Sequence, residues 1–183
     1  MVVDISHVSD PTFWDVIRVA NKPVLATHSS SRALVDIPRN MTDDMLKAVG
    51  KNGGAVCVNF SATFLDAAAA RAWEPVVAKV PGVPPAERHA FLETGGKKLP
   101  PVPLSALIDH VARVAGVDHA CLGSDFDGVF ALPVGMESVA KLPAITAELR
   151  KRGYSPADVG KILGGNTLRV LEANEAKAAK KPR

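Results

Sequence analysis

The sequence predicts an α/β fold in which parallel strands alternate with helices. Three observations carry that expectation. Short continuous apolar runs recur at residues 2–5, 23–27, 55–60 and 120–124, and such runs suit a sheet covered on both faces. Helical patterns lie between them, and strands alternating with helices argue for β/α units. Polar side chains gather where the runs end, at His7, His28, Asn59 and Asp125. Both α/β barrels and open α/β sheets place their chemistry at C-terminal strand ends.

The elements follow in order. Asp10-Pro11 reads as a helix start, with Asp10 as N-cap and proline at the first helical position; Phe13, Trp14, Ile17, Val19 and Ala20 give that helix an apolar side. Thr42, followed by Asp43 and Asp44, opens a second helix through Met45, Leu46 and Val49. Its acids sit at the positive end of the helix dipole, and Gly53-Gly54 breaks it. Residues 103–114 carry Leu104, Leu107, Ile108, Val111 and Val114 on one stripe. Further helices are predicted over 139–149, from Ser155-Pro156, and over 166–171. Residues 81–101 are rich in proline and glycine and weakly periodic, as in a long loop. Four strands are too few for a closed (β/α)₈ barrel, which needs ~250 residues. The pattern fits either a small open sheet or half a barrel.

Composition bounds the function. A chain of 183 residues can bury roughly 70% of its unfolded surface. It is 47% hydrophobic and 22% charged, and no stretch approaches the roughly 20 apolar residues of a membrane span. No signal peptide is visible at residues 1–7. The formal charge is +3, with Lys177, Lys180, Lys181 and Arg183 concentrated in the tail. A nucleic-acid surface would need basic residues on one folded face with aromatics between them, so no nucleic-acid partner is expected. Cys57 and Cys121 each sit inside apolar runs and read as small buried hydrophobes. A disulfide or a metal pair is the alternative, although neither shows a short ligand spacing.

His7 and His28 lie 21 residues apart, about one β/α unit, each flanked by serine or threonine. Taken singly, each suits a structural role. At matched strand ends, two imidazoles can reach one Zn²⁺, although a catalytic site commonly has three protein ligands plus water. Asp125 and Asp127, in Gly123-Ser-Asp-Phe-Asp-Gly128, are the remaining candidates, and the same segment also suits a plain turn. His89, His110 and His119 read as surface or packing residues. Arg39, in the loop after the His28 strand, has the fork geometry that clamps a carboxylate; a solvated loop arginine is the plainer reading. No Gly-x-Ser-x-Gly elbow, phosphate loop or dinucleotide fingerprint occurs.

Together these segments resemble one family. Asp4-Ile-Ser-His7-Val-Ser9, Thr27-His28-Ser-Ser30, Pro38-Arg39-Asn40 with Asp43-Asp44, Val58-Asn59-Phe60, Gly123-Ser-Asp-Phe-Asp-Gly128 and the ending Gly164-Gly-Asn-Thr-Leu-Arg169 resemble, in order, the C-terminal half of the renal (membrane) dipeptidases. The resemblance implies a TIM-type (β/α)₈ barrel with two zinc ions at the C-terminal strand ends. It implies metal binding by His7 and His28, capture of the substrate carboxylate by Arg39, and an active-site role for Asp125 facing the substrate's amino end. Asp127 matches no ligand position. The implied chemistry is hydrolysis of a dipeptide's amide bond by a two-metal-activated water.

The departure from the family is also large. Its His-x-Asp motif for the first zinc and its bridging glutamate have no counterpart here. The expected organisation is therefore a partial barrel over residues 1–173, with a loop insertion at 74–101 and a basic, disordered tail at 174–183. The expected partner is a dipeptide. An alternative is an inactive half-barrel that forms a homodimer or pairs with a separate N-terminal half.

Overall fold

The computed structural model describes residues 1–99 and 108–175. Three strands, β1 (Leu25–Ser29), β2 (Ala55–Val58) and β3 (Ala120–Leu122), form a parallel sheet in the order β1-β2-β3. Leu25 pairs with Ala55, and Val56 with Ala120. Each new strand joins beside its predecessor, as consecutive β/α units do in a barrel. Residues 2–5 approach this sheet but form no fourth strand. They make one parallel bridge, Asp4 to Leu25, with Ile5 N donating to Leu25 O at 2.9 Å. The chain leaves the ladder there because the Asp4 side chain turns to the end of β1 and accepts from Thr27 N and Oγ1.

Helix α1 (Asp10–Val19) begins one residue earlier than its sequence suggests. Ser9 is the N-cap and accepts from Thr12 N at 3.4 Å, with Asp10 inside the first turn. Asp10 is drawn elsewhere: Arg32, in the loop after β1, donates to both of its carboxylate oxygens at 2.8 and 2.6 Å. Helix α2 (Asp43–Asn52) keeps Thr42 as its cap and stops at Gly53, where φ is +79°, a left-handed conformation that glycine adopts without a Cβ penalty.

Residues 62–99 are more ordered than their composition suggests. α3 (Ala62–Leu65) and α4 (Ala67–Val77) are followed by 3₁₀ turns at Val80–Gly82 and Pro85–Glu87, then by α5 (Arg88–Gly96). Pro75 falls in the last turn of α4, and Pro81, Pro84 and Pro85 fall at the 3₁₀ turns, which leaves 88–96 free to be helical. A Cβ on Gly95 would meet Val76 at 2.5 Å, and one on Gly96 would meet the Phe130 carbonyl at 1.8 Å. Those two glycines therefore let α5 dock on α4 and on the 130 segment. Packing decides this helix, not periodicity.

Past the undescribed stretch run α6 (Asp109–Ala115), a 3₁₀ turn at Val139–Lys141, α7 (Pro143–Lys151), α8 (Pro156–Gly160) and α9 (Asn166–Glu175). Residues 103–107 of the predicted 103–114 helix lie outside the described residues. α9 continues through Asn174 and Glu175, beyond the expected boundary of the tail, and 176–183 lie outside the described residues. No described helix is long and apolar enough to cross a membrane.

The two sheet faces are unequal. Ala26, Val56, Val58 and Ala120 pack with Phe13, Met45, Leu46, Val49, Ile108 and Val111 in the main core; each fully buried large side chain contributes ~1.5–3 kcal/mol. On the other face Leu25, Ala55, Cys57 and Cys121 meet Val170 of α9. Cys57 and Cys121 are register partners on β2 and β3 and are disulfide-bonded to each other. The expectation of two separate buried hydrophobes is corrected accordingly, in favour of the disulfide alternative. Sequence could not choose between them, because 64 residues separate the pair and only the strand register puts the two side by side.

α9 lies across the N-terminal ends of the strands. Arg169 donates to Gly53 O, Gly54 O and Asp118 O, and Asn166 donates to Val117 O and Ala120 O. Asn174 donates to Pro23 O, and Lys22 reaches Ala173 O. One end of the sheet is thereby closed, which leaves the other for chemistry.

Two stability outcomes follow. Arg169→Ala removes a charged donor from three carbonyls and should cost roughly 2–4 kcal/mol, read as a lower urea midpoint with an unchanged m-value. Hydrogen bonds from Arg32 and its charge hold the Asp10 carboxyl below the usual carboxylate range, outweighing a small opposing effect of burial. A depressed carboxyl contributes stability above its unfolded value near ~3.9 and loses it as pH falls through the folded value. Asp10→Asn should therefore cost at most about 1 kcal/mol at neutral pH. Melting curves of the two proteins should converge in acid, once the pH has fallen through the folded carboxyl's value; a gap that persists at the acid limit would contradict this assignment.

Candidate functional site

The open end of the sheet carries the polar residues that terminate the strands. Just past the Asp4 bridge, His7 turns its ring toward β1, and its Nε2 lies 2.8 Å from His28 Nε2. The ring centroids are 4.8 Å apart. His7 adopts φ +64°, and Asp125 adopts φ +67°; no other described non-glycine residue has a positive φ. Left-handed backbone at non-glycine residues costs free energy and concentrates at functional sites.

A chain of hydrogen bonds orients the His28 ring and selects its tautomer. Asp4 Oδ2 accepts from Thr27 Oγ1 at 2.6 Å, and Thr27 Oγ1 lies 2.7 Å from His28 Nδ1. The Thr27 hydroxyl proton is committed to Asp4, so its oxygen accepts from His28 Nδ1–H. In the neutral ring, Nε2 then carries a lone pair, the tautomer that a metal needs. Burial would raise the Asp4 carboxyl, yet hydrogen bonds from Thr27 and Ser6 outweigh it and hold the group below its ordinary value. The His7 imidazole is pushed down by burial first, then by Arg39 and His28, against the opposing pull of Asp125 and Asp4. Lowered basicity favours the neutral form that can act as a ligand.

The pair suits a shared metal ion in part. Two nitrogens on one tetrahedral zinc would sit about 3.3 Å apart at the usual ~2.0–2.1 Å bond length, so the rings, at 2.8 Å, would have to part by about half an ångström to share an ion. Among the described residues, however, no group of three or more His, Cys, Asp or Glu is placed to hold an ion. These two donors fall short of the usual three-ligand count.

Arg39 comes from the loop after β1 and folds back under it. Its Nη2 donates to His28 O at 2.6 Å and its Nη1 to Ser29 Oγ at 3.2 Å, while the buried Nε has no partner. The guanidinium lies 5.6 Å over the Phe64 ring. Burial lowers its affinity for the proton, and Asp125 and Asp4 pull the other way. Among the described residues Arg39 forms no salt bridge. A half-buried cation without an ion pair is suited to receive an anion.

Asp125 sits on the turn after β3. Its Oδ2 accepts from Nδ2 of the fully buried Asn59 at 2.9 Å, and Gly128 N donates to its carbonyl at 3.0 Å. A Cβ on Gly128 would lie 2.2 Å from Asp125 Oδ1, and one on Gly123 only 2.5 Å from Thr27 O. Both glycines are therefore required by close approach. Phe126 packs edge-on against Phe60, which leaves Asp125 in the cleft and Asp127 exposed.

His7, Arg39 and Asp125 line one cleft of about 360 Å³, together with Phe64, Trp73 and Leu92. A larger hollow of about 580 Å³ shares Val129, Phe130 and Ala131 with it but contains none of those three polar residues. The other histidines are spent elsewhere. His110 meets Asp43 Oδ1 at 2.7 Å, His119 Nδ1 meets Gly54 O at 2.7 Å, and His89 packs edge-on to Phe130. Sequence reading did not assign positioning work to Asp4, Thr27 or Asn59. The hydroxyl residues flanking each histidine were the available signal, but which of them bonds to what depends on strand register.

Known proteins match this chain throughout. The family model for membrane dipeptidase (peptidase family M19) matches residues 1–183. Dipeptidase ataJ of Aspergillus terreus is 33% identical over 177 residues, covering 95% of this chain and 36% of that protein. The crystal structure of the probable dipeptidase PvdM from Pseudomonas aeruginosa superposes with a TM-score of 0.81 at 27% identity, covering 96% of this chain and 51% of that one. A Rhodobacter sphaeroides metallopeptidase, solved with a phosphinate mimic of the dipeptide L-Ala-D-Ala, gives 0.69 at 33% identity, covering 93% and 41%. The chain thus spans about half the length of these relatives, or less. On the whole-chain match, it belongs to the membrane dipeptidase family, peptidase family M19.

Proposed function

We propose that this chain supplies the C-terminal half of a zinc-dependent dipeptidase site. The observation that carries the reading is the convergence of His7 and His28 Nε2 at 2.8 Å beside an arginine that forms no ion pair among the described residues. His7 and His28 would hold the second of two zinc ions. Arg39 receives the dipeptide's carboxylate through donors not already used by His28 O and Ser29. Asp125, held by Asn59, faces the substrate's amino end. The dipeptide mimic bound by the Rhodobacter sphaeroides relative supports a dipeptide as the ligand.

Zinc, when bound, supplies Lewis acidity and lowers the pKa of water. This chain's residues do the rest. Asp4 and Thr27 fix the His28 tautomer, Arg39 and Asp125 orient the substrate between them, and Phe64 shields the guanidinium from solvent. The ligands of the first ion and the bridging carboxylate would come from outside these 183 residues, whose β/α units would make up part of a barrel. A second reading, an inactive half-barrel that dimerises or complements a separate N-terminal half, draws on one feature: among the described residues β3 pairs only with β2, and such an edge invites pairing.

Calorimetric titration of Zn²⁺ into the purified chain, beside the His7→Ala/His28→Ala variant, tests the metal site. One weakly held zinc per chain is expected, abolished in the double variant with an unchanged circular dichroism spectrum; equal binding by both proteins would remove the histidines from the site. Zinc-dependent hydrolysis of Ala-D-Ala by the 183-residue chain should fall far below that of a family member of full length. Comparable turnover would sink the idea that further ligands are needed. Size-exclusion chromatography separates the two readings in part, since an obligate homodimer favours the second.

A further inference from the structure

The cleft that holds Arg39 and Asp125 has a second, chemically different wall. Trp73 and Val77 from α4, Val80 from the following turn, and Leu92 from α5 line it, with Phe64 and Phe130 beside them. We propose that this wall selects dipeptides whose C-terminal residue carries a large apolar or aromatic side chain. The inference rests on the reading of Arg39 as the carboxylate receptor and deepens it.

The argument is geometric. A dipeptide's α-carboxylate and its C-terminal side chain leave the same Cα. A carboxylate on Arg39 therefore places that side chain close to Phe64, whose ring lies 5.6 Å beneath the guanidinium and which lines the same cleft as Trp73. The wall is also braced. Trp73 stacks on Phe130 with centroids 6.2 Å apart and planes 23° apart, and His89 meets the other aromatic edge-on at 5.5 Å. α5 is pinned by the close approach of Gly95 to Val76 and of Gly96 to the Phe130 carbonyl. A rigid apolar surface loses little entropy on receiving a ligand. Val77 remains 47% exposed, so apolar area is left for a ligand to cover.

Selection works by exclusion as well. None of these six residues carries a charge, so a charged C-terminal side chain would be desolvated against them without a partner. Arg39 and Asp125 serve the substrate's two charged ends and leave side-chain choice to α4 and α5.

Equilibrium binding to the metal-free chain provides the test, with Ala-Phe and Ala-Gly as probes. Ala-Phe should bind roughly tenfold to a hundredfold more tightly, and Trp73→Ala should reduce the preference to about threefold or less while Ala-Gly affinity stays unchanged. Should Trp73→Ala not fold, Trp73 fluorescence in a Trp14→Phe background replaces it: Ala-Phe should shift the emission and Ala-Gly should not. Equal affinities for the two dipeptides, or an emission indifferent to Ala-Phe, overturn the inference and leave the carboxylate reading intact. Arg39→Ala should weaken both dipeptides alike. If neither dipeptide binds, or if Arg39→Ala changes neither, the reading of Arg39 falls and the inference falls with it.

Discussion

The hydrogen-bond chain from Asp4 through Thr27 to His28 is the constraint on which the open end of this sheet depends. It joins the segment before α1 to β1 at the point where regular pairing between them has stopped. Thr27 Oγ1 can give its proton to only one partner, and Asp4 at 2.6 Å takes it. The His28 ring is then oriented by its Nδ1 and presents Nε2 outward, toward His7. The same Asp4 carboxylate accepts from Ser6 N, which tightens the turn into His7. One carboxylate thus positions both rings, and the left-handed backbone of His7 is the local cost of that convergence.

Burial without charge pairing gives the adjoining residues their character. Arg39 is held by a carbonyl and a hydroxyl instead of a carboxylate, so its charge is oriented but not neutralised. Asp125 is held in the same manner, by an amide from Asn59. The two opposite charges are kept apart by neutral partners, which favours a ligand carrying both signs over collapse of the site into an internal salt bridge. The partly buried pair Asp10–Arg32 shows the contrast, since there two charges do meet and serve to anchor α1 to the loop after β1.

The closed end is built by different means. α9 places one arginine and two asparagines across the carbonyls that precede all three strands, and it covers the small apolar face that includes Cys57 and Cys121. The bonds from α9 close one end of the sheet, and the polar residues of the cleft stand at the other. That division is the one seen across barrels, where the C-terminal strand ends carry the active groups.

Much of this was legible in the residues themselves. Apolar runs located β1, β2 and β3, Thr42 and Gly53 bounded α2, and Ser155-Pro156 opened α8, because strand burial, capping and left-handed glycine are local properties. The clustering of His7, His28 and Asp125 at strand ends was legible for the same reason, and the ordered motifs identified the family. Other features required the folded chain. α5 has no periodic signal and exists because Gly95 and Gly96 allow close docking. The Cys57–Cys121 bond follows from register across 64 residues. The choice of Ser9 over Asp10 as the cap follows from an arginine 22 residues away. Sequence by itself determined which residues could do chemistry and at which end of the sheet they would stand. Only the tertiary structure decided which partners they keep, since a hydrogen bond between distant segments depends on where the strands place them and not on their spacing along the chain.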